Sequence, residues 1–301
     1  MSSYLESNAR ERIAKIFDAG SFVEFLPPAD RLISPHLAQL DAPVAFDDGV
    51  VIGRAQLLGH TVFAAAQEGG FMGGAVGEVH GAKLVGMLKR AIAEQPDAVL
   101  LLLETGGVRL HEANAGLIAV SEVMRAVLDT RAAGIPVVVL IGGSNGCFGG
   151  MGIVACCANA IVMSEEGRLA MSGPEVIETA NGVEEFDSRD RALVWRTTGG
   201  KHRYLLGDCR TVVADDTDVF RLTAAKIMQA LNAQPDQIAL SLAALEAEQA
   251  LLTQRIERFG NAEDPIEIWR RLGIEAPQMV PVLEAAEFTA LAQSVRLEGW
   301  A

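Results

Sequence analysis

Ala98-Val-Leu-Leu-Leu-Leu-Glu104-Thr105-Gly106-Gly107 and Pro136-Val-Val-Val-Leu-Ile141-Gly142-Gly143-Ser144-Asn145-Gly146 repeat one pattern, an unbroken apolar run followed by a glycine-rich turn. Stretches of helical character follow both, from Val108 to Arg131 and over the small-residue segment Met151 to Ala160. A strand that is apolar at every position is buried on both faces, the situation of a parallel sheet covered by helices on either side. The two units therefore read as tandem βα units of an α/β domain. Outward from them, Gly81 to Ala93 sets Leu84, Met87, Leu88 and Ala91 on one helical face, and Val44 to Glu68 changes to short β-rich runs, Gly49-Val-Val-Ile-Gly-Arg-Ala and His60-Thr-Val-Phe-Ala-Ala-Ala, which form a meander of strands. Asn8 to Phe17 is an amphipathic helix through Ile13, Ile16 and Phe17, ended by Asp18-Ala-Gly-Ser. After Asp216 the composition shifts to Ala/Leu/Gln/Glu-rich helices, including Ile238 to Phe259 and Ala262 to Leu272, with Pro265 near the start of the latter. The expected organisation is one α/β domain over residues 1–235 and a helical extension over 236–301.

Composition limits the function classes. Half of the 301 residues are apolar, 21% are charged and mean hydropathy is +0.24, so the chain buries enough surface to offset its ordering entropy. With few aromatics (11 Phe, 3 Trp, 2 Tyr), some of that apolar surface is available for a subunit interface. The longest apolar stretch, Met151 to Met163, carries Asn159 and falls short of the roughly 18 to 20 residues that cross a bilayer. The start of the sequence shows no basic patch and apolar run of an export signal, so a cytoplasmic protein is expected. Cys147, Cys156, Cys157 and Cys209 do not form the pairs that seed a zinc site, and the five histidines lack metal-binding spacing. A net charge of −14 disfavours nucleic acid. Any anionic ligand must be met by local positives such as Arg54, Lys83, Arg109 or the Lys201-His202-Arg203 cluster.

Three glycine-rich turns can carry chemistry: Gly69 to Gly77, Thr105 to Glu112 and Gly142 to Gly152. Glycine permits positive φ and close approach of backbone to a ligand, and a helix starting at such a turn adds the positive end of its dipole. Neighbouring parallel strands bring such turns into one crevice, suited to a developing oxyanion. The same glycines could serve tight strand–helix packing alone. Gly199-Gly-Lys201-His202 lacks the hydroxyl residue of a phosphate loop. Gly142-Gly-Ser144-Asn-Gly146 matches the Gly-x-Ser-x-Gly nucleophile elbow, but four residues and two more glycines separate Ser144 from the next helical stretch, and only His202 lies downstream as a base.

Asn8-Ala-Arg-Glu-Arg-Ile13, Phe71-Met-Gly-Gly-Ala-Val-Gly77, Thr105-Gly-Gly-Val-Arg-Leu-His-Glu112 and Ser172-Gly-Pro-Glu-Val-Ile-Glu178 occur in that order and resemble motifs of the carboxyltransferase subunits of acyl-CoA carboxylases. The four-cysteine ribbon that often precedes this region in bacterial β chains is absent, and 301 residues hold only one of the two such domains fused in propionyl-type enzymes. Together with the length, Glu68-Gly-Gly-Phe-Met-Gly-Gly74 and Glu104-Thr-Gly-Gly-Val-Arg-Leu110 are most similar to β subunits of biotin-independent malonate decarboxylases. The resemblance implies a crotonase-like spiral of ββα units with a C-terminal helical extension. It implies decarboxylation of a malonyl thioester on an acyl-carrier protein whose CoA-like arm derives from dephospho-CoA, with a γ subunit completing the enzyme and no biotin, metal or covalently bound cofactor. Nucleic acid and membrane are not expected partners.

Losing CO₂ from a malonyl thioester leaves an enolate whose oxygen backbone donors can hold, and each such donor is worth roughly 2.7 to 4 kcal/mol of barrier. The candidate donors are Gly106, Gly107, Gly149 and Gly150. Gly73, Gly74, Arg109, Ser144 and Gly146 are candidates for substrate binding, Arg109 having an ion pair with Glu112 or Glu104 as its other reading. Glu175 and Glu178 read as helix-start carboxylates or as acid/base groups. The alternatives are a biotin-dependent carboxyltransferase subunit, a serine hydrolase through Ser144, a non-catalytic assembly subunit, and an enoyl-thioester hydratase, which would place an acid where Ile153 stands.

Overall fold

The computed structural model describes residues 2–299. Its strands are β1 (Val23–Glu24), β2 (Val50–Leu57), β3 (His60–Gln67), β4 (Ala98–Leu103), β5 (Val137–Ile141), β6 (Ala160–Ser164) and β7 (Thr211–Val213). The helices are α1 (Ala9–Ile16), α2 (Pro35–Gln39), α3 (Glu78–Glu94), α4 (Asn114–Ala132), α5 (Gly149–Cys156), α6 (Pro174–Asn181), α7 (Arg191–Thr198), α8 (Gly200–Leu205), α9 (Thr217–Asn232), α10 (Leu242–Phe259), α11 (Pro265–Arg271) and α12 (Ala285–Ala292).

All seven strands lie in one sheet in sequence order. β1, β2 and β3 are antiparallel, and β3 through β7 are parallel, with Leu100 opposite Val138 and Val139 opposite Ile161. The β2–β3 hairpin turns through Leu58 and Gly59, both at positive φ, as a two-residue turn requires; the Asp18 carboxylate accepts from both their N–H groups. The continuous apolar runs are buried on both faces, as their composition demands. Val99, Leu101 and Leu103 pack toward α3, α4 and α5, and Ala98, Leu100 and Leu102 pack toward α1 and α9. Each buried leucine of β4 contributes about 2 to 5 kcal/mol against truncation to alanine. α3 and α4 approach closely at Gly81, where a Cβ would stand 2.6 Å from that of Ala119. Asn8 and Glu11 close a reciprocal capping box at the start of α1.

Three sequence expectations are revised. The α-helix expected from Val108 begins only at Asn114, after a single 3-10 turn at Leu110–Glu112, because Val108 pairs with Val76 as an isolated bridge and Arg109 is held by buried carboxylates. The apolar stretch Met151 to Ala160 breaks after Cys156, and the chain re-enters the sheet as β6. The helix expected from Ile238 starts at Leu242, where Ser241 accepts from Ala244 N–H. Beyond Pro235, α10 is mostly exposed, but Trp269, Val280 and Phe288 are buried in the same cluster as β5 and β6, so the tail forms a further layer on the core.

Candidate active site

The turns that leave the C-terminal ends of β3, β4 and β5 interlock through backbone. Val76 N–H donates to Gly107 O and Arg109 N–H to Val76 O, each at 2.9 Å; Thr105 N–H donates to Gly146 O at 2.8 Å and Phe148 N–H to Thr105 O at 2.9 Å. This secondary ladder, Val76–Val108 and Thr105–Cys147–Leu169, continues the parallel order of the sheet past its strands. Glycine is obligatory at its crossing points. A Cβ on Gly74 would stand 1.9 Å from Glu104 O, and one on Gly149 2.9 Å from Gly107 Cα, with φ of +69° and +63°. The two expected donor turns therefore touch at Gly107 and Gly149.

The backbone donors there are not equivalent. Gly106 N–H is engaged by Gly73 O at 2.8 Å, Gly107 N–H by Thr105 Oγ1 at 3.0 Å and Gly149 N–H by Met171 O at 3.1 Å. Among the described residues, Val108, Gly150 and Met151 N–H have no acceptor. Gly150 and Met151 open α5, whose N-cap Phe148 offers no side-chain cap, so the helix dipole is directed at the same place. A Cβ on Gly150 would lie 3.6 Å from Val108 Cγ2, so the residues that bear these free donors neighbour each other across the two turns. In the sequence Val108 is overshadowed by the two glycines before it, whose backbone freedom is the stronger signal. The signal that could have found it is its place directly after the second glycine, where a turn's first outward N–H falls.

Arg109 is not at the turn surface. Its side chain is fully buried, Nη1 donating to Asp48 Oδ2 at 2.8 Å and to Glu112 Oε1 at 3.0 Å, and Nη2 to Asp48 O at 3.3 Å. The expectation that it orients substrate is corrected: the burial that removes it from ligand also requires its carboxylate partners. The same cluster holds His80, whose Nδ1–H donates to Asp48 O while Nε2 accepts from Gln67 Nε2–H, each at 3.1 Å. Burial, with Arg109 and Lys83 nearby, pushes its pKa down to about 3, so the imidazole is neutral. Gly73 and Gly74 sit at positive φ in the turn after β3, Gly73 O being the acceptor for Gly106 N–H, and Gly146 at +65° shapes the turn after β5.

The turn face is open rather than enclosed. Cavities of about 340 and 480 Å³ lie beside α1, away from the donors. Around the donors stand exposed apolar side chains: Leu110, Leu117, Ile118, Ile153 and Met171, the first 83% and the last 71% accessible. An apolar rim of this kind is suited to contact with another chain or with an apolar ligand.

The carboxyl transferase domain model matches residues 6–259. The chain belongs to the carboxyl transferase domain family. Over 98% of its length it is 41% identical to a malonyl-S-ACP:biotin-protein carboxyltransferase of Malonomonas rubra, spanning 96% of that protein. It superposes on a chain of a Pseudomonas malonate decarboxylase hetero-tetramer with a TM-score of 0.80 and 39% identity, covering 90% of this chain and 97% of that one. A chain of a Pseudomonas malonate decarboxylase hetero-dimer matches with a TM-score of 0.62 and 38% identity, over 76% and 88% of the two chains. The crotonase-like α/β architecture expected from the motifs is thereby established.

Within this carboxyltransferase-family frame the nucleophile elbow lacks a partner. Ser144 Oγ donates to Glu104 Oε1 at 3.1 Å, whereas His202 is buried on α8 and its Nδ1 accepts from Trp269 Nε1 at 3.1 Å. Burial, then Arg203, pushes the His202 pKa down to about 3. Ile153, where a hydratase would need an acid, is an exposed apolar side chain on α5. Glu178 on α6 accepts from Ser188 N–H at 2.8 Å, and Glu175 lies in the first turn of that helix. Among the described residues no helix is long and apolar enough to cross a membrane.

Proposed function

We propose that this chain is the β-type subunit of a malonate decarboxylase, cleaving malonyl-S-acyl-carrier protein to acetyl-S-acyl-carrier protein and CO₂ together with a γ-type partner. The reading rests above all on the free Val108 and Gly150 N–H groups, carried by two turns that touch at Gly107 and Gly149. In the reaction the bond between the carboxylate and C2 breaks, its electron pair becomes the C2–C1 double bond, and the charge moves to the thioester oxygen. Two preorganised N–H donors at that oxygen supply a stabilisation of roughly 2.7 to 4 kcal/mol each. The enolate then takes a proton at C2, releasing the acetyl thioester. Of the four expected donors, this assigns Gly150 to the oxyanion and replaces Gly106 and Gly107 with Val108. Gly106, Gly107 and Gly149 become the packing that holds the donors together. The apolar rim through Leu110, Leu117 and Ile118 is the seat of the γ-type subunit, which closes the open face.

A second reading has an observation of its own, the likeness to the Malonomonas rubra biotin-protein carboxyltransferase across nearly the whole chain. Both reactions share the enolate and differ in whether CO₂ leaves or passes to biotin. The co-purified complex, given carboxyl-labelled malonyl-carrier thioester with and without avidin, separates them. Release of label as CO₂ in both conditions supports the decarboxylase. Turnover that needs a biotin protein and stops with avidin gives the carboxyltransferase, and absence of both reactions removes the proposal.

A further inference from the structure

In the sequence Glu104 opens the Glu104-Thr-Gly-Gly-Val-Arg-Leu110 motif and is a possible partner of Arg109, with no role of its own, and it lies directly before the turn that carries Val108. Its side chain is only 6% exposed, yet both carboxylate oxygens are engaged. Oε2 pairs with Nη1 of Arg12, itself buried in α1 and donating through Nε to Tyr4 O at 3.0 Å. Oε1 accepts from Ser144 Oγ at 3.1 Å, Asn145 N–H at 3.2 Å and Asn145 Nδ2 at 3.3 Å. Asn145 Nδ2 also donates to Gly69 O at 3.0 Å. The turns after β3 and β5 close on the carboxylate with bare backbone, since a Cβ on Gly69 or Gly143 would lie 2.4 or 2.3 Å from its carboxyl carbon. The backbone of Glu104 is gripped as well, its N–H donating to Gln67 Oε1 at 3.1 Å and its O lying against Gly74.

We propose that Glu104 is a positioning residue for the reaction: its carboxylate fixes the turn after β5, and with it Gly150 N–H, against the turn after β4 that carries Val108 N–H. Only a carboxylate can do this. Donors face it from both sides, Arg12 from one and the Ser144-Asn145 turn from the other, so both oxygens must accept. A glutamine of the same shape has one acceptor and must turn its NH₂ against either the guanidinium or the turn. Removing Arg12 as well relieves that conflict, because the amide oxygen then faces the turn and the NH₂ the space the guanidinium leaves.

The inference rests on the oxyanion reading above, and its test separates the two. In the hetero-complex, kcat and KM for the malonyl thioester are measured for wild type, Glu104→Gln and the double variant Arg12→Met/Glu104→Gln, and deuterium exchange of the 69–74 and 142–150 amides is followed by mass spectrometry. Glu104→Gln is expected to lower kcat about 100-fold with KM within about threefold, and to speed exchange at 142–150. The double variant should recover about tenfold or more in kcat and regain protection. Turnover of Glu104→Gln within about twofold of wild type, or a loss of kcat with unchanged exchange and no recovery in the double variant, overturns the proposal. Should Glu104→Gln fail to fold, Asn145→Ala removes the Nδ2 donor to Oε1 and its bond to Gly69 O without stranding Arg12. It should then cost about tenfold in kcat, KM unchanged, and unaltered kcat and exchange would count against Glu104. If the wild-type complex turns over no malonyl thioester, the oxyanion reading fails, and restored protection in the double variant still decides for Glu104, unchanged protection against it.

Discussion

The turns after β4 and β5 are built from the same residue types and do different things. After β4, the N–H groups of Thr105-Gly106-Gly107 are taken by Gly146 O, Gly73 O and Thr105 Oγ1, and the first free donor belongs to Val108. After β5, the seven residues Gly142 to Phe148 lead into α5, and the free donor belongs to a glycine in the first turn of that helix, Gly150. Glycine in the first turn is a matter of space and φ; in the second it also lets the donor itself stand open. The sharpest way to break this contrast is to substitute within one turn. Gly107→Ala forces a Cβ to 3.3 Å from Gly149 Cα at a φ of +123°, pushing the turns apart, and should reduce kcat by about 1,000-fold. Gly106→Ala, exposed and with only Gly73 O at 3.6 Å, should stay within about threefold. Equal effects at the two positions would mean that the turn is not organised as described.

The next largest effect isolates a single donor. Replacing the Val108 amide by an ester, through the α-hydroxy analogue of valine, removes one N–H and keeps the side chain. As that N–H has no internal acceptor, little stability is lost, while kcat should fall about 100-fold and KM change little. The same replacement at Gly107, whose N–H is bound within its own turn, should show up in the melting temperature rather than in this split. Wild-type kcat in the Val108 ester would take the oxyanion away from it.

What the sequence made legible follows the range of the interactions concerned. β4 and β5 were readable because burial on both faces leaves a continuous apolar run, and α1 because Asn8 and Glu11 cap it within three residues. β6 was hidden, since Ala160–Ser164 continues the apolar composition of α5 without a change of periodicity. The glycine turns were visible as turns, yet which N–H groups stayed free was not, because Gly106 is satisfied from the turn after β3 and Gly149 from Met171. Glu104 was invisible for the same reason. Its partners Arg12 and Ser144 lie 92 and 40 residues away, and nothing local distinguishes it from a strand-end carboxylate. Arg109 misled because an arginine beside a glycine turn suggests an anion, while Asp48, 61 residues off, already supplies one.

A smaller effect compares the active-site side of the molecule with its tail through two buried imidazoles. His80, beside Asp48 and Gln67, and His202, against Trp269 of α11, both have pKa values lowered from 6.5 to about 3, chiefly by burial. A histidine kept neutral in the folded state but protonated in the unfolded one favours folding above the unfolded pKa. That stability is lost as pH falls from 6.5 toward 3, because the unfolded chain then binds more protons. The slope attributable to each is at most about 1.4 kcal/mol per pH unit in that window. Urea unfolding at pH 7, 6 and 5 should show the midpoint falling, and His202→Gln should flatten the slope by about one proton while leaving the turnover profile unchanged. His80→Gln should flatten it similarly and also alter turnover, as its Nε2 holds the Gln67 amide whose oxygen receives Glu104 N–H. Identical consequences for turnover would erase the distinction between the two regions.

Smallest of all should be Ser144→Ala, and its smallness is informative. Ser144 occupies the nucleophile position of an elbow-like motif, so a hydrolase would lose all activity on its removal. In the arrangement seen here Ser144 Oγ is one of three donors to Glu104 Oε1, and the other two come from Asn145. Losing one exposed hydroxyl bond from a carboxylate that keeps Arg12 and Asn145 costs about 1 kcal/mol of local order, or a few-fold in rate. That residue of effect matters, because a wholly inert Ser144 would say that the turn after β5 is held by its own backbone alone. A two- to fivefold fall in kcat at constant KM, measured beside the larger loss in Asn145→Ala, would instead rank the donors by what each ties down, since the Asn145 amide holds Gly69 O as well as the Glu104 carboxylate.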